Sequence, residues 1–86
     1  MTDVIKPYTI YGMPNCTYCN LAKDVLTGYG VPFEYVNLQD EPEILTAFRE
    51  KGFRSVPQIY YGGDYQTGEY VGGYDQVKDH VVGNLL

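Results

Sequence analysis

Tryptophan is missing from these 86 residues, histidine occurs once and cysteine twice. No apolar run approaches the ~20 residues that a membrane-spanning helix needs, so a soluble chain without membrane contact is expected. Basic residues are also scarce: six Lys and Arg stand against eleven Asp and Glu, a net charge of −5. Nucleic acid is gripped by clustered Lys and Arg, and that balance excludes it as an expected partner. The opening segment MTDVIKPY has neither a basic start nor an apolar core of ~7–15 residues. No secretory signal is therefore expected there, and the expected location is cytoplasmic. The shortage of cysteine points the same way, because a small secreted domain usually carries several disulfides. A bridge between residues as close as Cys16 and Cys19 would staple nothing, since little loop entropy is at stake.

What the chain does have is ten tyrosines and ten glycines. Most of the tyrosines are expected to be half-buried strand residues, since aromatics favour strands. The length fits one domain over residues 1–86. YTIY, Tyr8 to Tyr11, reads as a first strand, ended by GMPN. From Cys16, the residues Cys19, Ala22, Val25 and Leu26 recur at helical spacing, with Gly28 and Gly30 marking the end. VPFEYVNL alternates Phe33, Tyr35 and Asn37 with Glu34, Val36 and Leu38, a second strand. DEPEILTAFREKG follows as a second helix, with Asp40 as N-cap, Glu43 as its capping-box partner, Pro42 in the first turn and Gly52 as the stop. Gln58 to Tyr61 and Glu69 to Val71 form a hairpin with a long, polar, Gly-rich connection. Val77, Val81 and Leu85 then give one face of a third helix. The order β-α-β-α-β-β-α predicts an α/β chain: a four-stranded mixed sheet flanked by three helices, its first two strands parallel.

The two cysteines stand where the first helix begins. Unpaired N–H groups and the positive end of the helix dipole stabilise a thiolate there, lowering its pKa from the unperturbed ~8.5. Cys19 lies one turn further in, on the same side, so it can reach the sulfur of Cys16 while better shielded from solvent. Cys16 is thus the expected attacking thiol and Cys19 the resolving one. A structural zinc site wants four Cys or His ligands, and only Cys16, Cys19 and the distant His80 are available, so no metal site is expected. Two inert buried cysteines are the bland alternative.

Three separated signatures, on the right elements, resemble those of a glutaredoxin of the thioredoxin fold, and the resemblance runs from Tyr8 to Leu85. CTYC, Cys16 to Cys19, is similar to the family's C-P-Y-C, with Thr17 in place of proline and Tyr18 at the aromatic position. SVP, Ser55 to Pro57, resembles T-V-P, whose proline the family holds cis beside the active cysteine. GGYDQ, Gly72 to Gln76, resembles the G-G-x-D turn before the last helix; as bare local structure it is a turn with Asp75 as N-cap. The compact length and this turn are also similar to glutaredoxins encoded by bacteriophages.

The resemblance implies a glutathione-dependent thiol-disulfide oxidoreductase with Cys16 and Cys19 as its dithiol. It further implies a glutathione site made of Tyr18, Arg54, Ser55, Val56, Pro57, Gly73, Tyr74 and Asp75. In that site the main chain of Val56 pairs with the tripeptide, and Tyr74 and Asp75 meet its γ-glutamyl end. Glutathione would be a co-substrate with no tightly bound cofactor. Clients would be disulfide-containing proteins, ribonucleotide reductase among them, met by a monomer. Two features depart from the pattern. Met13 stands where many members carry Lys or Arg three residues before the first cysteine, with Arg54 as a replacement cation. The hairpin between Pro57 and Gly72 is also longer than usual, and is expected to protrude, either touching partners through its tyrosines or idle. KGFRSVP is similar as well to the glutaredoxin-like reductants of ribonucleotide reductase that are recharged by thioredoxin reductase; those lack the GG-x-D turn, which favours glutathione. Some glutaredoxins instead carry an iron–sulfur cluster between two protomers, through the first cysteine and two glutathiones, the alternative from a different class.

Overall fold

The computed structural model describes residues 5–85. Four residues of the MTDVIKPY segment lie outside that range, so the expectation of no signal there is not addressed by the fold. Among the described residues, no helix is long and apolar enough to cross a membrane.

The chain runs β1 (Tyr8–Gly12), α1 (Thr17–Gly28), β2 (Phe33–Asn37), α2 (Pro42–Glu50), β3 (Gln58–Tyr61), β4 (Glu69–Gly72) and α3 (Tyr74–Leu85). The sheet order is β2-β1-β3-β4, with β1 parallel to β2 and antiparallel to β3, and β4 antiparallel to β3. This is the expected thioredoxin-like fold. Alternation along β1 divides the core. Tyr8 and Ile10 join Ala22, Leu26, Val77 and Val81 on the α1/α3 face. Tyr11 joins Leu38, Phe48 and Tyr60 on the α2 face. Each large side chain so buried contributes roughly 1.5–3 kcal/mol.

The helix stops follow the glycines. Gly30 (φ 69°) and Gly52 (φ 89°) take the left-handed conformation one residue beyond the C-caps. The next N–H groups then reach back, Val31 to the Leu26 carbonyl and Phe53 to the Phe48 carbonyl, each at 3.0 Å.

Four local expectations are corrected. Asp40 does not cap α2: Leu38–Asp40 form a short 3-10 turn, capped by the Asn37 side chain accepting from the Gln39 N–H. The N-cap of α2 is Glu41, with no side-chain capping bond, so Glu43 closes no capping box. Leu85 does not extend the buried stripe of α3; it is 45% exposed, because the core beneath ends at Val81. The long hairpin does not protrude. Tyr65 folds back, its N–H donating to the Tyr11 hydroxyl at 3.0 Å and its ring 5.5 Å from that of Phe48, while the Thr9 hydroxyl donates to the Gly63 carbonyl. The Asp64 carboxylate ties the turn by accepting from the Gln66 and Thr67 N–H groups, which lowers its pKa. Finally, the tyrosines divide more widely than expected: Tyr8, Tyr11 and Tyr60 are buried outright, whereas Tyr18, Tyr29 and Tyr70 are exposed.

Candidate active site

β1 delivers the chain to Gly12, and a turn through Met13, Pro14 and Asn15, whose φ is 59°, brings Cys16 to the head of α1. Cys16 is the N-cap: its backbone is extended and its sulfur accepts the Cys19 N–H at 3.1 Å. No acidic residue occupies the first turn of α1, so nothing there opposes negative charge on that sulfur. The two cysteines are joined as a disulfide. Cys16 is half-buried at the rim, whereas Cys19 has no exposure at all. The redox pair therefore has one open and one closed partner.

The second wall comes from the loop before β3. The Val56–Pro57 peptide bond is cis, and the Val56 carbonyl oxygen lies 3.9 Å from Cys16 Sγ. This loop is held from below by Gln58, which is buried. Its amide donates to the Ser55 carbonyl at 2.9 Å and its side-chain oxygen accepts from the Tyr70 hydroxyl at 2.6 Å. The third wall is the start of α3. There Gln76, rather than Asp75, supplies the cap, its side-chain oxygen accepting the Gly73 N–H at 2.9 Å. Asp75 is instead exposed in the first turn, 3.7 Å from Lys78. The expectation of Asp75 as N-cap is thereby corrected: the helix begins at Tyr74, so Asp75 already lies inside its first turn.

Between these walls lies a groove of about 260 Å³. Tyr18, Ser55, Val56 and Pro57 line one side, and Gly73, Tyr74 and Asp75, together with Gln76, line the other. The Tyr18 and Tyr74 rings face each other with centroids 5.8 Å apart, and the Lys78 ammonium lies 4.6 Å from the Tyr74 ring centroid. Seven of the eight residues expected for glutathione thus surround one groove. Arg54 does not; it lines a neighbouring groove, also about 260 Å³, with Met13, Arg49 and Phe53, on the far side of Ser55 and Val56. Gln58 and Gln76 were not foreseen, because their roles depend on partners in other elements or on the local backbone path. Among the described residues no cluster of three or more His, Cys, Asp or Glu stands ready to hold a metal ion.

A cysteine at a helix N-terminus, a shielded partner and a flanking groove suit thiol-disulfide exchange, and comparisons with known proteins agree. The family model "Glutaredoxin" matches residues 8–66. The glutaredoxin-like protein NrdH of Escherichia coli K12 is 35% identical over 54 residues, covering 63% of this chain and 67% of that one. The solved structure of E. coli NrdH-redoxin, described as having a thioredoxin-like activity profile, superposes with a TM-score of 0.70 at 28% identity, over 87% of this chain and 93% of that one. A buckwheat glutaredoxin–glutathione complex gives a TM-score of 0.71 at 26% identity, over 93% and 73%. With its Cys16/Cys19 pair set in a thioredoxin fold, the chain belongs to the glutaredoxin family and is a glutaredoxin-type thiol oxidoreductase.

Proposed function

We propose that residues 1–86 act as one domain, a cytoplasmic monomer that reduces protein disulfides and glutathione mixed disulfides and is recharged by glutathione. The observation that carries this reading is the groove beside Cys16, walled by Tyr18, Val56, Tyr74 and Asp75. Val56 offers main chain to an extended peptide, and Gly73, Tyr74 and Asp75 meet its far end. Cys16 attacks the disulfide and Cys19, lying directly behind it, closes the Cys16–Cys19 bond and releases the client. Ribonucleotide reductase is the proposed client.

A second reading has its own support. Met13 puts an apolar side chain where a cation would hold a carboxylate, Arg54 is turned toward the neighbouring groove, and a structural neighbour carries a thioredoxin-like activity profile. On that reading the reductant is thioredoxin reductase. Recharging rates of the oxidised protein by glutathione plus glutathione reductase, and by thioredoxin reductase, separate the two. Faster recharging by glutathione is expected; faster recharging by thioredoxin reductase selects the second.

A further inference from the structure

Gly12, at the end of β1, stands between two groups that the exchange described above leaves unconnected. A Cβ on this residue would lie 2.8 Å from Cys19 Sγ and would collide with the Tyr35 hydroxyl. Because residue 12 has no side chain, the phenol and the buried sulfur share one pocket. Tyr35 reaches it from β2, its ring packed on the α1/α3 core. Its hydroxyl donates to the Met13 carbonyl at 3.2 Å. Lys23, one turn beyond Cys19 on α1, sets its ammonium 4.2 Å from the centroid of the Tyr35 ring.

Cys19 has no exposure, and a thiolate there is costly unless something donates to it. Resolution nevertheless needs that thiolate. The elements packed around it bring few other titratable groups. On α1, Lys23 is half-buried while Asp24 is exposed, and on β2 Glu34 is exposed beside Tyr35. β1 brings Ile10 to this face, Tyr11 belonging to the opposite core. α3 brings Val77 and Val81, with Tyr74 beside Tyr18, and its His80 is engaged with Tyr8 at the other end of β1.

We propose that the Tyr35 hydroxyl, steadied by Lys23, is the hydrogen-bond partner that prepares Cys19 for resolution, and so a positioning residue for the resolving thiol. The proposal rests on Cys19 having that role. A hydroxyl suits the task because it both accepts and donates. With the disulfide closed it donates to Met13. With Cys19 reduced, its oxygen accepts the S–H; once the proton has gone to water, the O–H turns and donates to the thiolate. Cys19 then attacks Cys16 Sγ of the mixed disulfide. The Cys16–Cys19 bond forms, the bond from Cys16 to the client sulfur breaks, and the client leaves as a thiolate that regains a proton from water. Burial pushes the Tyr35 phenol above its ordinary value, which keeps its proton on oxygen at neutral pH.

Tyr35→Phe removes only the hydroxyl. In a Cys16→Ser background, the ultraviolet thiolate absorbance followed against pH should place Cys19 ionisation about one unit higher when Tyr35→Phe is added, as for a lost hydrogen bond to a charged group. With Cys16 intact, closure of the glutathione mixed disulfide to Cys16–Cys19 should slow about three- to fourfold at neutral pH, the smaller thiolate fraction being partly offset by the greater nucleophilicity of a more basic thiolate. Lys23→Met, which keeps the apolar stem, should shift both readouts in the same direction by less, and serves if Tyr35→Phe does not fold. Unchanged titration and full-rate closure in the folded variants would overturn the proposal. Should Cys19→Ser still reduce protein disulfides, the resolving role itself fails; loss in Cys19→Ser with wild-type closure in Tyr35→Phe defeats only the role given to Tyr35.

Discussion

The two sulfurs of one disulfide live on opposite sides of a boundary. Cys16 stands at the rim, capping α1, beside the Val56 carbonyl and a groove lined by the exposed ring of Tyr18. Cys19, three residues on, is sealed behind Gly12, with the Tyr35 phenol sharing its pocket. The open side is made of helix end, loop and turn, where substitutions change what can approach. The closed side is made of strand and core, where substitutions change what can stay folded. One residue pair thus carries two kinds of constraint, and altering each side should read out differently.

The largest effect belongs to the open side. Cys16→Ser should abolish turnover in a coupled disulfide-reduction assay, because no other exposed thiol remains; substantial activity would erase the distinction between the sulfurs. Cys19→Ser should act selectively, losing reduction of protein disulfides that need resolution while keeping deglutathionylation, which needs one thiol. Equal loss of both would mean that the closed sulfur does more than resolve.

Much of this division was legible in the sequence, and the reason is punctuation. Pro, Gly and the periodic apolar residues marked all seven elements, and Gly30 and Gly52 end their helices for a purely local reason. The signatures around Cys16, Ser55 and Gly72 sit far apart in the chain, yet element order brings them to one groove. What escaped depends on contacts across the fold. Asp40 looked like a cap because residue types alone do not reveal the 3-10 turn that consumes it. The hairpin looked free because Tyr65 finds Tyr11 and Phe48 only once the sheet has formed. Gly12 looked like a strand terminator, whereas its lack of a side chain makes room for Tyr35 beside Cys19.

Gly12→Ala tests the closed side directly. The added methyl has no space beside Cys19 Sγ and the Tyr35 hydroxyl, and overpacking of this kind costs about 1–3 kcal/mol. A thermal melt should show a fall of roughly 4–8 °C for each kcal/mol in a domain of this size; an unchanged melting temperature would show that the wall gives way freely.

A smaller effect appears at high pH. Burial pushes both Tyr8 and Tyr11 up to about 12 in the fold, above the ~10 of an exposed phenol. Their neutral forms are favoured by folding, so the associated stability is complete below ~10 and is lost as pH rises through about 12. Thermal stability measured across that interval should decline, less steeply in Tyr8→Phe, which cannot ionise. A flat profile would mean that the phenols are reached by solvent.

Of the two sulfurs, the open one is expected to be the reactive one. The rate of alkylation of the reduced protein by iodoacetamide, followed against pH with the modified residue identified by peptide mass, tests it most directly. Modification is expected at Cys16, with a midpoint well below the ~8.5 of a free thiol. A midpoint at or above that value, or Cys19 alkylated first, would contradict it.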